Sequence, residues 1–192
     1  MSTPDPAPGG GRAPALNPPL AGPGRRPGWR FLLAHPAHAI ALGFGSGLSP
    51  VAPGTVGTLW AWMVYALLPA TFGDGARGVA LVVAMLLGWW ACTVTARNLA
   101  QGDPGAIVWD EVVAFWLILW LITPASWVLQ AVAFLLFRFF DAVKPGPVAW
   151  ADQRFKRRPG HPIGWVQGFG ILIDDVVAAF CTLLLIALWR FL

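Results

Sequence analysis

Apolar stretches alternate along this chain with short runs rich in glycine, proline and charge, and the rhythm changes near residue 30. Before that point Pro, Gly and Ala dominate, interspersed with Arg12, Arg25, Arg26 and Arg30. Such a stretch cannot bury enough apolar surface to offset chain entropy, so residues 1–30 read as a disordered tail. It lacks the charged start, apolar core and small-residue cleavage site of a secretory signal peptide and is expected to be retained. Residues 31–192 are expected to form one membrane domain. Gly43 to Thr58 (GFGSGLSPVAPGTVGT) is too broken for regular helix. Five apolar segments follow, at about 59–72, 78–96, 112–122, 125–140 and 176 to the C-terminus. Several fall short of the roughly 20 residues that cross a bilayer unaided. They need polar end-turns, local thinning or a re-entrant path.

The pattern predicts an all-α, multi-pass transmembrane helical bundle of about four to five membrane segments. Composition agrees: 57% of the 192 residues are hydrophobic and only 11% charged, against about a quarter charged in a soluble domain. The net charge of +4 does not indicate nucleic acid, because the basic residues sit in the tail and in loops flanking apolar segments, where anionic headgroups lie. With a cytoplasmic tail and five crossings, Arg97, Arg138, Lys144, Arg154, Lys156, Arg157 and Arg158 join the tail arginines inside, and only Arg77 and Arg190 fall outside. Cys92 and Cys181 lie in apolar runs and read as small buried hydrophobes. His35, His38 and His161 show no ligand spacing.

Candidate chemistry comes from the carboxylates. Of nine acidic residues, Asp5, Asp74, Asp103 and Asp152 read as solvated charges in the tail or loops. Asp110, Glu111, Asp141, Asp174 and Asp175 lie at or near the start or end of apolar segments, and the topology above brings them to one face, the cytoplasmic one, with Gly43–Thr58. Adjacent carboxylates repel, so one of each pair must neutralise or find a cation. Neither pair has a basic residue at helical i+3 or i+4 spacing. Helix capping by Asp is the simpler reading of a lone acid, but two pairs on one face favour a metal held by Asp110, Glu111, Asp174 and Asp175. All-oxygen ligation suits Mg²⁺, which takes one or two carboxylates plus substrate phosphate. Gly45, Ser46, Gly47, Ser49, Pro53, Gly54 and Thr55 form a stretch whose amides and hydroxyls could meet a phosphate. It is not a P-loop, having no Gly-Lys-Ser/Thr ending. Lys144, before Pro145 where a helix should end, could hold phosphate or contact an anionic lipid. Cys92 and Arg97 are spaced wrongly for a thiol-phosphatase cradle, and no Asp-x-Asp nucleophile motif occurs.

Four blocks in order, GFGSGLSPVAPGTVGTL (43–59), IVWDEVV (107–113), FRFFDAVKPGPV (137–148) and GFGILIDDVVAA (168–179), resemble the phosphatidylglycerophosphatase A family. The resemblance covers nearly all of the chain except the tail. It implies an Mg²⁺-dependent enzyme that converts phosphatidylglycerol phosphate to phosphatidylglycerol and inorganic phosphate in phospholipid biosynthesis, in the bacterial inner membrane with the active site facing the cytoplasm. It implies Asp110, Glu111, Asp141, Lys144, Asp174 and Asp175 as the active-site set. Ala114 and Ala179 stand where the family usually has glycine, and Leu172 where it often has Met. Asp141 is expected to complete the metal site or act as general base; a metal-activated water and an aspartyl-phosphate route both stay open, as does homo-oligomerisation. The competing reading is a cation-coupled transporter or channel subunit using the same acids as an ion path. Such a protein wants its acids near the midplane, whereas these are expected at segment ends.

Overall fold

A computed structural model describes residues 26–69, 73–155 and 163–191, and the described residues contain helices and no strand. Most of the expected tail, residues 1–25, lies outside them, as do Lys156, Arg157, Arg158 and His161. The elements are α1 (Trp29–Leu33), α2 (Pro36–Ala41), a 3₁₀ segment (Gly43–Leu48), α3 (Pro53–Ala66), α4 (Asp74–Leu99), α5 (Trp109–Ile122), α6 (Trp127–Val143), α7 (Pro147–Phe155) and α8 (Trp165–Phe191).

Local chemistry sets the boundaries. Pro53 occupies the first turn of α3, where a missing N–H costs nothing. The Ser126 hydroxyl caps α6 by accepting from the Leu129 N–H, and α6 ends at Lys144, whose left-handed backbone turns the chain into Pro145. Asp74 sits in the first turn of α4, where the helix dipole favours an anion. Two sequence expectations change here. Residues 53–58, grouped with an irregular stretch, form the opening of α3, while the break before them is real: Phe44 and Gly45 have φ of 53° and 109° inside the 3₁₀ segment. The last helix begins at Trp165 rather than near residue 176. Its acids therefore do not start it, because the apolar residues before Asp174 suffice to extend the helix.

Interhelical contacts place the helices in two tiers. Among the described residues, α4 and α8 are the two helices long and apolar enough to cross a membrane; at 1.5 Å per residue each spans about 40 Å. They run antiparallel, with Arg97 donating to the Ile163 carbonyl, Gly168 packed on Thr93, and Gly88 against Leu172. α5 begins only halfway along α4: Trp109 Nε1 donates to the Ala84 carbonyl at 3.0 Å, in space left by Gly88. From there α5 descends beside α4, reaching Gly78 with Trp120. α3 runs parallel to it, from Gly54 at Glu111 to Tyr65 at Thr123. α6 returns antiparallel, from Gln130 at Trp62 to Arg138 at Thr58. These three shorter helices, about 21–26 Å long, form the lower tier around α5, where Val112, Val113, Ala114, Phe115, Ile118 and Leu119 are all buried. Ala179 and Leu172 are likewise buried.

In the upper tier α2 packs on α4, α7 on α8 and the 3₁₀ segment on α3. This tier consists of α1, α2, the 3₁₀ segment, the 100–108 connection and α7. Thr95 donates to the Ala37 carbonyl, and the Val108 N–H to that of Ala41. Buried His38 donates through Nδ1 to the Phe31 carbonyl, leaving Nε2 to accept from Asn98 Nδ2, each at 2.8 Å. Both cysteines are free; Cys92 is buried as expected, whereas Cys181 is only half-buried.

Candidate active site

The boundary between the tiers is where the polar groups meet. The N-termini of α3 and α5, the C-terminus of α6 and the interior of α8 all reach this level. Asp110 and Glu111 occupy the first turn of α5. Asp175 approaches them from α8, so that one ligand oxygen from each of the three lies within 4.8 Å of the others. The carboxyls of Asp110 and Glu111 touch each other, and that of Asp141 on α6 touches Asp175. Glu111 is 9% exposed and Asp175 only 3%. Buried oxygens Oδ1 of Asp110, Oε2 of Glu111 and Oδ2 of Asp175 have no hydrogen-bond partner. Desolvated, unpartnered carboxylate oxygens are costly, and their convergence is what a hard divalent cation would satisfy. The donor set, all carboxylate oxygen, fits Mg²⁺.

Asp174 is not one of that triad, although its Oδ1 is likewise buried without a partner. Its Oδ2 takes the Lys144 ammonium at 2.6 Å, and the same ammonium holds Asp152 Oδ1 of α7 at 2.7 Å. Burial, the largest single influence on Lys144, favours its neutral form. The hydrogen bonds with Asp152 and Asp174 outweigh it and hold the pKa above the usual lysine value. The lysine therefore clasps α6, α7 and α8 as a cation. Asp152, read from sequence as a solvated loop charge, is part of this clasp. The distinction between neighbours Asp174 and Asp175 follows from helical geometry: adjacent residues point about 100° apart, so one faces the α5 acids and the other the α6–α7 corner.

A second cation enters from α6. Arg138 Nη1 lies 2.8 Å from Asp141 Oδ2 and 3.7 Å from Glu111 Oε1, and 3.5 Å from Thr58 Oγ1. From the sequence Arg138 counts only as one of the basic residues on the cytoplasmic side. The available signal was an arginine in an apolar helix at i−3 from Asp141. Gly54 sits against this group: a Cβ there would overlap Glu111 Oε1 and stand 3.0 Å from Arg138 Nη2. Glycine is therefore a steric requirement of the site. The N–H groups of Gly54 and Thr55 open α3, whose N-cap, Ala52, provides no side-chain cap.

The remaining glycine-rich residues lie one step away. Gly47, Ser49 and Pro53 line a cavity of about 300 Å³ with Arg26, Gln101 and Gly105. Ser46 and Ser49 hydroxyls donate to the Gly43 and Val51 carbonyls, and the amides of Gly45 and Gly47 both bond the Leu42 carbonyl. Only the Pro53–Thr55 end of the stretch adjoins the carboxylates. Depth differs from expectation too: Asp174 and Asp175 lie about 14 Å inside α8 by helical rise, although the α3, α5 and α6 contributions do sit at helix ends. Depth in the helices therefore does not separate an enzyme from an ion path.

Comparison with known proteins does. Residues 39–190 match the model of the family described as phosphatidylglycerophosphatase A. The chain belongs to that family. It is 35% identical over 152 residues to phosphatidylglycerophosphatase A of Escherichia coli K12, covering 78% of this chain and 80% of that protein. It is 38% identical over 150 residues to the Haemophilus influenzae protein of the same name, covering 78% and 86%. A Bacteroides thetaiotaomicron protein named putative phosphatidylinositol-3-phosphatase is 38% identical over 159 residues, covering 79% and 91%. No solved structure matches. The family resemblance carried by the four sequence blocks is thus borne out, and the chain is a phosphatase; the transporter reading is not favoured.

Proposed function

We propose that this chain is an Mg²⁺-dependent lipid phosphatase that hydrolyses phosphatidylglycerol phosphate to phosphatidylglycerol and inorganic phosphate in phospholipid biosynthesis. The convergence of Asp110, Glu111 and Asp175, with three orphaned oxygens, is the observation that carries the metal reading; family membership carries the substrate. When bound, the ion supplies charge neutralisation and Lewis-acid activation at the phosphate. Asp141, steadied by Arg138 and adjacent to Asp175, completes that shell or takes the proton of the attacking water. The free amides of Gly54 and Thr55 donate to phosphate oxygens at the positive end of α3. Lys144, bonded to Asp174 and Asp152, holds α6, α7 and α8 in register around the centre.

In this reading α3, α5 and α6 cross the membrane together with α4 and α8, giving five segments, the shorter ones accommodated by local thinning. The upper tier faces the cytoplasm of a bacterial inner membrane, since the basic loops lie on its side. The acyl chains stay in lipid against the apolar outer faces of α3 and α4, where Leu59, Met63, Val82 and Leu86 are exposed. The headgroup reaches the tier boundary.

The test is phosphate release by purified protein from phosphatidylglycerol phosphate, with phosphatidylinositol 3-phosphate and glycerol 3-phosphate as competing substrates. Mg²⁺-dependent release from the first, at least tenfold faster than from the others, is expected. Equal rates on all three would refute the headgroup assignment, and metal-independent release would refute the metal.

A further inference from the structure

Among the described residues two cations, Arg138 and Lys144, lie near the carboxylates, and the structure distinguishes them. The Lys144 ammonium is enclosed by two carboxylates at 2.7 and 2.6 Å. Two of its three N–H donors are thereby committed to protein carboxylates, which balance its charge. Arg138 is placed differently. One of its terminal nitrogens, Nη1, holds Asp141 at 2.8 Å and only approaches Glu111 and Thr58. Its Nε is buried without a partner, and Nη2 is kept clear by Gly54, since a Cβ on residue 54 would stand 3.0 Å from it. Its side chain is 19% exposed. A guanidinium offers its donors as a planar fork that matches two oxygens of a phosphate, which an ammonium does not.

Resting on the phosphatase reading above, we propose that Arg138 is the side chain that grips the phosphoryl group, together with the first amides of α3, and that Lys144 is a positioning residue. Nη1 stays on Asp141, and the fork edge formed by Nε and Nη2 faces the phosphate. This explains three features at once: a buried guanidinium nitrogen without a partner, a glycine that leaves Nη2 uncovered, and an arginine where neutralising Asp141 alone would need only a point charge.

The test uses purified full-length protein in detergent and isothermal titration of inorganic orthophosphate at saturating Mg²⁺. Wild type is compared with Arg138→Lys, Arg138→Gln, Asp141→Asn and the Arg138→Gln/Asp141→Asn double variant; Mg²⁺ binding is titrated separately without phosphate. Arg138→Lys retains a charge for Asp141 and so guards against simple misfolding, which the unfolding midpoint checks. We expect Arg138→Lys and the double variant to bind orthophosphate at least tenfold more weakly than wild type, with Mg²⁺ affinity changed less than threefold. Orthophosphate affinity within threefold of wild type in the double variant would overturn the proposal, since Arg138 would then serve only to pair Asp141. A tenfold loss of Mg²⁺ affinity in Arg138→Lys would also overturn it, by showing that Arg138 acts through the carboxylates. Phosphate release from phosphatidylglycerol phosphate is measured on the same wild-type sample. If that fails while orthophosphate binding still depends on Arg138, the substrate reading falls and the anion site stands.

Discussion

Asp175→Asn should have opposite effects on the protein without and with divalent cation. Without it, Asp175 faces the carboxylates of Asp110 and Glu111 within 4.8 Å and is almost fully buried. Two full charges at that separation repel by about 3.5 kcal/mol at an effective dielectric constant of about 20, an upper figure because proton uptake relieves part of it. Removing one carboxylate charge while keeping its shape should leave the metal-free protein as stable as wild type or more stable, by up to about 2 kcal/mol. With Mg²⁺ at about 100 times its dissociation constant, wild type should gain about 2.7 kcal/mol by mass action. The variant, lacking one of three converging ligands, should gain less than about 1 kcal/mol. Intrinsic fluorescence of the 12 tryptophans during thermal unfolding in detergent, in EDTA and in Mg²⁺, reads both quantities. A variant that is less stable than wild type in EDTA, yet keeps the full Mg²⁺ shift, would refute the reasoning.

Other perturbations probe separate parts of the site. Gly54→Ala drives a methyl into Glu111 and Arg138; phosphate release should fall at least 100-fold, while the unfolding midpoint changes modestly because α3 gains helix propensity. Lys144→Met leaves Asp152 and Asp174 without their shared cation, and unfolding should cost about 1–3 kcal/mol less, discounted for the partial exposure of the lysine; adding Asp174→Asn should recover part of it in a thermal scan. The raised Lys144 pKa means that its contribution is complete below the unfolded-state value near 10.4 and is lost only as pH climbs through the folded-state value. A melt series over pH 6–9 should show no loss from this group in wild type relative to Lys144→Met. His38 is lowered, burial being the main cause, aided by His35 and opposed by the Phe31 carbonyl. Its contribution is therefore complete above about pH 6.5 and declines as pH falls toward the folded-state value. Protection factors of the α1 and α2 amides, taken relative to intrinsic exchange at each pH, should fall in that window, and His38→Gln should remove the acid dependence.

Much of this arrangement was legible because the bilayer punishes charge. In a chain so apolar, Asp110, Glu111, Asp141, Asp174 and Asp175 stood out, and the loop charges gathered them to one face before any coordinates. What the sequence could not supply was rotation and register. Asp174 and Asp175 are chemically alike, and only the packing of α8 against both α5 and α7 sends one to the carboxylate triad and the other to Lys144. The α8 start was misplaced for a related reason: paired acids look like a helix end when their partners lie on other elements. The pairing of Arg138 with Asp141 is at helical spacing and was legible; its approach to Glu111, 27 residues away in sequence, was not. The short helices depend on docking rather than on their own periodicity, α2 to α4, α7 to α8 and α1 to α2 and the 3₁₀ segment, and helices of that length rarely form alone.

The most direct test of the central claim is the Mg²⁺ dependence of phosphate release from phosphatidylglycerol phosphate, measured side by side for wild type, Asp175→Asn and Asp174→Asn. The account predicts that Asp175→Asn loses at least 100-fold in rate and raises the half-saturating Mg²⁺ concentration at least tenfold. Asp174→Asn should lose rate with half-saturation within about threefold of wild type. If Asp175→Asn keeps the wild-type Mg²⁺ response, or Asp174→Asn alone shifts it, the triad of Asp110, Glu111 and Asp175 is not the metal centre.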